Sequence, residues 1–147
     1  MANISRLLSN ILPGQKYFTT LDALKGYWPI PLSEEAQPLT TFITPWGRYM
    51  FCRAPMGLSS TGDKYNLLMD AAFDGIHNVK KIIDEILTYD SKLSQHVTNV
   101  RKLLKRCRMH GISMSEKKFV FAQPEVKYVG YIVNGEGTKA DPDKVRA

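Results

Sequence analysis

Residues 80–89 read KKIIDEILTY, and the fold turns on how this stretch is interpreted. Two short β-prone runs flank the pair Asp84-Glu85, a pattern that predicts strand, turn, strand. The apolar flanks bury the strands, so the turn must hold the charges. Neighbouring carboxylates repel, which raises the pKa of one of them unless a cation compensates. Mg²⁺ suits that role, because it takes hard oxygen ligands and needs few from protein. A solvated acidic turn has the same pattern, and spacing alone does not separate the two.

Moving toward the N-terminus, Lys16 to Leu21 (KYFTTL) reads as a strand that ends at Asp22 and is broken by Gly26-Tyr27-Trp28-Pro29. A carboxylate at a strand end and a pair at a hairpin turn can converge on one sheet face. Two metals about 3.5–4 Å apart, bridged by such acids, would serve phosphoryl transfer. Leu39–Ile43 and Arg48–Arg53 read as strands joined by Thr44-Pro45-Trp46-Gly47. Ala54 to Leu58 is a loop. Ser60, with Asp63 three positions on, is expected to cap a helix whose buried face is Tyr65, Leu68, Met69, Ala72 and Phe73, ending at Gly75.

Moving toward the C-terminus, a helix is expected from Ser91 to His110, with Leu93, Val97, Val100, Leu104 and Cys107 on one face and Gly111 closing it. Lys92, Arg101, Lys102, Lys105, Arg106 and Arg108 lie mostly elsewhere, as a solvated face or a nucleic-acid stripe. Phe119–Ala122 and Val126–Val133 read as a final strand pair, Asn134 to Gly137 as a turn, and Asp141-Pro142 as the start of a helix running to Ala147. Before the first strand, Pro13-Gly14 closes the end of a helix. Segregated helices and mainly antiparallel strands make an α+β class, a split βαβ sheet with helices on one face.

The chain has 147 residues, 44% hydrophobic and 23% charged, which suits one domain with a real core and excludes a disordered or collagen-like chain. Twenty Lys and Arg against fourteen Asp and Glu give a net charge of +6, which favours polyanion partners. Cys52 and Cys107 have no metal-binding spacing and read as reduced thiols. No apolar run approaches the roughly 18 residues of a membrane span, and no secretory signal is seen, so the expectation is an intracellular protein with no membrane partner.

Several of these stretches, taken together, resemble the palm region of reverse transcriptases from gypsy-type LTR retrotransposons. Tyr17 to Trp28 (YFTTLDALKGYW) is similar to the first palm motif. Thr40-Thr41-Phe42, Gly47 to Phe51 and Pro55-Met56-Gly57-Leu58 are similar to the next block. Ile82 to Leu87 lies where that family has a Tyr-x-Asp-Asp hairpin, Tyr128-Val129-Gly130-Tyr131 resembles the primer-grip strand pair, and Asp141 to Val145 resembles the segment leading to the thumb.

The resemblance implies an RNA-directed DNA polymerase palm with partial fingers, residues 1–147 forming one fragment without upstream fingers, thumb or RNase H, and weak or inactive alone. It implies Asp22, Asp84 and Glu85 as catalytic and metal-binding acids with Mg²⁺ or Mn²⁺. Tyr27 would be a steric gate under the sugar of a dNTP, Met56 and Gly57 would lie beside nucleotide and template, and Tyr128, Val129, Gly130 and Tyr131 would hold the primer. Partners would be an RNA or DNA template with primer, and the rest of a polyprotein. Three departures stand out: Glu85 replaces Asp, Ile82 replaces the usual residue at the motif head, and Pro29 removes a backbone donor after the gate. A noncatalytic nucleic-acid-binding remnant of a palm is the alternative, and an unrelated α+β interaction domain a third reading.

Overall fold

The computed structural model describes residues 4–11, 13–24 and 27–145. Lys25 and Gly26 of the first motif, and Ala147, lie outside the described residues. The elements are α1 (Ile4–Ser9), β1 (Tyr17–Asp22), β2 (Phe42–Thr44), β3 (Gly47–Tyr49), α2 (Thr61–Phe73), β4 (Val79–Ile82), β5 (Glu85–Asp90), α3 (Leu93–Met109), β6 (Val120–Gln123), β7 (Glu125–Tyr128), β8 (Tyr131–Asn134), β9 (Gly137–Ala140) and α4 (Pro142–Val145).

A four-stranded antiparallel sheet in the order β4-β5-β1-β6 forms the middle layer. Strand alternation divides its side chains between two cores. Leu21, Ala23 and Ile86 face Tyr65, Met69, Ala72 and Phe73 of α2 and Leu103 and Cys107 of α3. Phe18, Leu87 and Tyr89 point the opposite way and pack on Leu8 of α1 and on Val126, Tyr128 and Val133 of a second sheet, β7-β8-β9. With both faces covered, β5 is buried at every position from Ile86 to Asp90. Hairpin β2-β3 forms a third sheet and carries exposed Phe42, Ile43, Trp46 and Tyr49.

The α+β arrangement, the strand ending at Asp22 and the two long helices on one face agree with the sequence reading, and several local expectations do not: Leu39 and Thr40 lie in a 3₁₀ turn (Gln37–Thr40) ahead of β2, β3 stops at Tyr49 short of Arg53, and Gly137 opens a strand, β9, that the sequence reading lacks. Val126–Val133 is two strands: Val129 (φ 48°) and Gly130 (φ 80°) form a two-residue turn between β7 and β8, the mirror-image geometry that matches strand twist. Strand β6 pairs with β1 instead of with β7. Ser60 precedes α2 without a side-chain cap, its own backbone being helical (φ −81°, ψ −11°). The buried face of α3 is His96, Asn99, Val100, Leu103 and Cys107, while Leu93 and Leu104 are exposed.

That rotation of α3 has a chemical reason. His96 lies between Asp90 and Thr19, with Nδ1 2.8 Å from Asp90 Oδ2 and Nε2 2.6 Å from Thr19 Oγ1. Asn99 Nδ2 donates to Asp90 Oδ1 at 2.7 Å, and Asn78 Nδ2 donates to the same oxygen at 3.2 Å. Thr19 Oγ1 also accepts the Ala122 N–H, at 3.0 Å, where the β1–β6 register shifts between Phe18 and Thr20. A proton on Nδ1 facing Asp90 and a lone pair on Nε2 facing Thr19 satisfy every member of this chain. Two α3 cations also have structural partners: Lys102 Nζ and Arg106 Nη2 donate to the carbonyls of Gly75 and Asp74 after α2. No described helix is long and apolar enough to cross a membrane.

Candidate active site

The β1–β5 ladder sets Asp22 opposite Glu85, so the two side chains leave the sheet on one face. Beyond the ladder, the Ala23 N–H donates to the Asp84 carbonyl at 2.8 Å, which fixes the β4–β5 turn against the end of β1. That turn is Ile83-Asp84, between the paired Ile82 and Glu85; Glu85 itself belongs to β5. Ile83 is left-handed (φ 54°) and exposed. A β-branched residue there costs on the order of 1–3 kcal/mol, so the surrounding pairings hold the turn in a strained shape.

A second segment is laced to the same end of β1. Leu24 N–H donates to Ser113 O and Ser115 N–H donates to Asp22 O, each at 2.8 Å, and Ala23 bridges Met114. The 3₁₀ turn Glu116–Lys118 follows and delivers Lys118, whose Nζ lies 2.9 Å from Asp22 Oδ2. Asp22 holds the Lys118 ammonium above its ordinary pKa range, first through this hydrogen bond and then through charge. The Asp22 side chain is 18% exposed, so the pair is open to solvent from the lysine side.

Asp84 has a different setting. Burial pushes its carboxyl above the ordinary range, and the charges of Asp22 and Glu85 add to this, while the Tyr65 hydroxyl and Lys118 work against it. Asp84 Oδ1 and Tyr65 Oη are both buried and without a partner in hydrogen-bond geometry. A half-buried carboxylate whose protein donor, the Tyr65 hydroxyl, falls short of good hydrogen-bond geometry is poorly compensated, and a cation would relieve it. Tyr65, from α2, is raised in pKa by burial first and by Asp84 next. Its ring meets Tyr27 edge-on, 5.5 Å between centroids at 88°, so the expected gate tyrosine is half-buried on the same tyrosine that faces the acid.

Glu85 is engaged elsewhere. Its Oε2 accepts the Val129 N–H at 3.0 Å, and its backbone carbonyl accepts the Tyr128 hydroxyl at 3.2 Å. The turn residues Val129 and Gly130 are thus brought next to the acids, with Tyr128 buried beneath and Tyr131 half-buried. A groove of about 280 Å³ runs past Asp22, Glu85, Lys118, Lys127 and Tyr128. A larger one, about 580 Å³, lies between Leu24, Trp28, Arg53 and Gly111; no acidic side chain lines it, so volume does not locate the chemistry. Met56 is 76% exposed and Gly57, at φ 99°, has open space around it; both sit on the loop after the β2-β3 hairpin.

Among the described residues no group of three or more His, Cys, Asp or Glu side chains closes tightly enough to hold a metal ion. Asp22 and Asp84 are the pair a divalent cation would compensate, by their shared end of the sheet, their mutual repulsion and the poorly satisfied Asp84 oxygen. Sequence reasoning missed Tyr65 and Lys118. A tyrosine where a phenylalanine would fill the core equally well was the available signal for the first; nothing local distinguishes Lys118 from Lys117.

Comparison with known proteins completes the description. Residues 3–133 match the family described as "Reverse transcriptase (RNA-dependent DNA polymerase)". All of the chain aligns, at 34% identity over 151 residues, with 14% of the "Retrovirus-related Pol polyprotein from transposon gypsy" of Drosophila melanogaster. At 35% identity, 92% of it aligns with 14% of the corresponding polyprotein from transposon opus of the same organism. The chain therefore spans about a seventh of these relatives. A foamy viral protease-reverse transcriptase, solved in complex with an RNA/DNA hybrid, superposes with a TM-score of 0.87 over 95% of this chain and 19% of that one, at 23% identity. That likeness fixes the fold.

Proposed function

The chain belongs to the reverse transcriptase (RNA-dependent DNA polymerase) family, and on that premise we propose that it is the palm, with part of the fingers, of a retrotransposon RNA-directed DNA polymerase. The observation that supports this reading is the approach of Asp22 and Asp84 at one end of β1 and β5, with the half-buried Asp84 carboxyl raised in pKa by burial and by the charge of Asp22. The reaction is attack by a primer 3′-hydroxyl on the α-phosphate of a dNTP, forming the new phosphodiester and releasing pyrophosphate.

Asp22 and Asp84 would hold Mg²⁺, or Mn²⁺ in its place. When bound, the metal supplies charge neutralisation and orientation for the phosphate oxygens. The chain's own groups do the rest. Lys118 partly neutralises Asp22 before a cation arrives. Tyr27, braced by Tyr65, sets a flat wall that excludes a 2′-hydroxyl from the sugar position. The Tyr128–Tyr131 hairpin, next to the acids, seats the primer end, and Met56 with Gly57 contacts nucleotide or template from the fingers side. Template with primer, dNTP and the remainder of a polyprotein are the partners. Positioning is most of phosphoryl-transfer catalysis, so the 147-residue chain alone is expected to extend primers very slowly.

Thermal unfolding with and without Mn²⁺ tests the site. The chain should be stabilised by Mn²⁺ or Mg²⁺, and Asp22→Asn should abolish the shift. It should also bind a primer–template duplex with an affinity that falls steeply with salt. No metal shift together with no salt-dependent binding would remove the proposal.

A noncatalytic palm that binds duplex is the second reading, favoured by the lack of a three-acid cluster among the described residues. It predicts salt-dependent duplex binding without a metal shift.

A further inference from the structure

Glu85 gives its side chain and its main chain to one neighbour. Its Oε2 takes the Val129 N–H and its carbonyl takes the Tyr128 hydroxyl. Both donors need what they receive. Tyr128 is 1% exposed, and a buried phenol without an acceptor is costly. Val129 stands first in a two-residue turn, where the hairpin's own ladder, with Tyr128 paired to Tyr131, gives its N–H no partner. Val129 is also β-branched with φ 48°, a strained conformation that persists only when the surroundings impose it.

The two sheets share no ladder hydrogen bond, since β4-β5-β1-β6 and β7-β8-β9 are separate. Apolar contact among Phe18, Leu87, Tyr89, Val126 and Val133 presses them together, but that force has no direction. The Glu85 bonds do. They fix where the hairpin tip stands along β5, one residue from Asp84 and directly across from Asp22.

Resting on the polymerase reading, we propose that Glu85 is a positioning residue that seats the β7-β8 hairpin on the catalytic strand, leaving Asp22 and Asp84 to hold the cation. This accounts for glutamate at a place where the resembled motif has aspartate. Shortening the side chain by one carbon withdraws the acceptor by about 1.5 Å, which takes a 3.0 Å bond out of range.

The test uses the 147-residue chain, with amide hydrogen exchange at Val129 and Mn²⁺ binding as readouts. Glu85→Gln keeps an acceptor oxygen and should protect the Val129 amide as the parent does. Glu85→Asp and Glu85→Ala should each lose about tenfold or more of that protection, the equivalent of one hydrogen bond to a charged group. Mn²⁺ affinity should fall far more in Asp22→Asn than in Glu85→Gln. The proposal is overturned if Glu85→Asp and Glu85→Ala leave Val129 protected, or if Glu85→Gln weakens Mn²⁺ as much as Asp22→Asn does. If Asp22→Asn leaves Mn²⁺ affinity intact, the polymerase reading fails while the exchange result at Val129 stands on its own.

Discussion

At the scale of single residues, the burial of Asp84 sets a pH dependence whose sign is the reverse of the usual carboxylate. Folding raises this carboxyl above its ordinary 3.8. Between that value and the raised one, the folded chain holds a proton that the unfolded chain has released. Stability from this group is therefore greatest at low pH and falls as pH rises through the interval. Asp84→Asn should raise the melting temperature at neutral pH without metal, flatten that part of the pH profile, and remove the stabilisation by Mn²⁺. Calorimetry from pH 4 to 8 reads all three; a lower melting temperature at neutral pH would show that the charge is not a burden. The acidic pair itself stood out in the sequence, although its pattern is shared by a solvated turn and only the resemblance singled out Asp22 and Asp84. The commitment of Glu85 to Val129 was not legible, because it depends on a backbone N–H 44 positions away.

At the scale of elements, β1 and β5 carry both the proposed site and its scaffold. Their outward face presents Asp22 and Glu85; their helix-facing side anchors the Asp90–His96–Thr19 chain. His96 and Asp90 are 0% and 2% exposed, so His96→Ala takes the donor from Asp90 Oδ2 and the acceptor from the Thr19 hydroxyl and should cost about 2 kcal/mol or more. Denaturant unfolding measures this, and His96→Gln should recover part of it. A loss under about 1 kcal/mol would mean that water replaces the ring. The chain also shows why the register of α3 was misread. Hydrophobic periodicity points Leu93 and Leu104 inward, yet two polar residues with distant partners turn the helix instead. The break in Val126–Val133 was hidden for a related reason. A valine in the left-handed region leaves no mark on a sequence that otherwise alternates like a strand, and Gly130 alone is compatible with a bulge.

At the scale of the whole molecule, helices, central sheet and outer sheet make three layers, and the acids lie where the central sheet ends, beside the hairpin tip of the outer one. The sheet with helices on one face was readable because strand–turn–strand signals and helical periodicity agree along the chain, whereas the outer sheet on the other face was not. What lay beyond reach was the pairing of elements far apart in sequence: β6 against β1, and the outer sheet against β5. The net charge of +6 has the sign a polyanion partner needs, but part of the α3 basic face closes α2 instead. The salt slope of duplex binding should therefore be smaller than a count of the cations on that helix would give.

Both tryptophans stand outside the two cores. Trp46 occupies the β2-β3 turn, 83% exposed, and Trp28 lines the larger groove, 52% exposed, while the cores are built from tyrosine, phenylalanine and aliphatic side chains. Indole emission is thus a reporter on the β2-β3 hairpin and the groove. A base stacking on either ring should quench it with no label attached, whereas core melting should register only weakly in that signal. The molecule carries a built-in optical probe at its open edge, and titrating it with single-stranded oligonucleotide while watching tyrosine and tryptophan channels separately would show which part of the surface a nucleic acid reaches first.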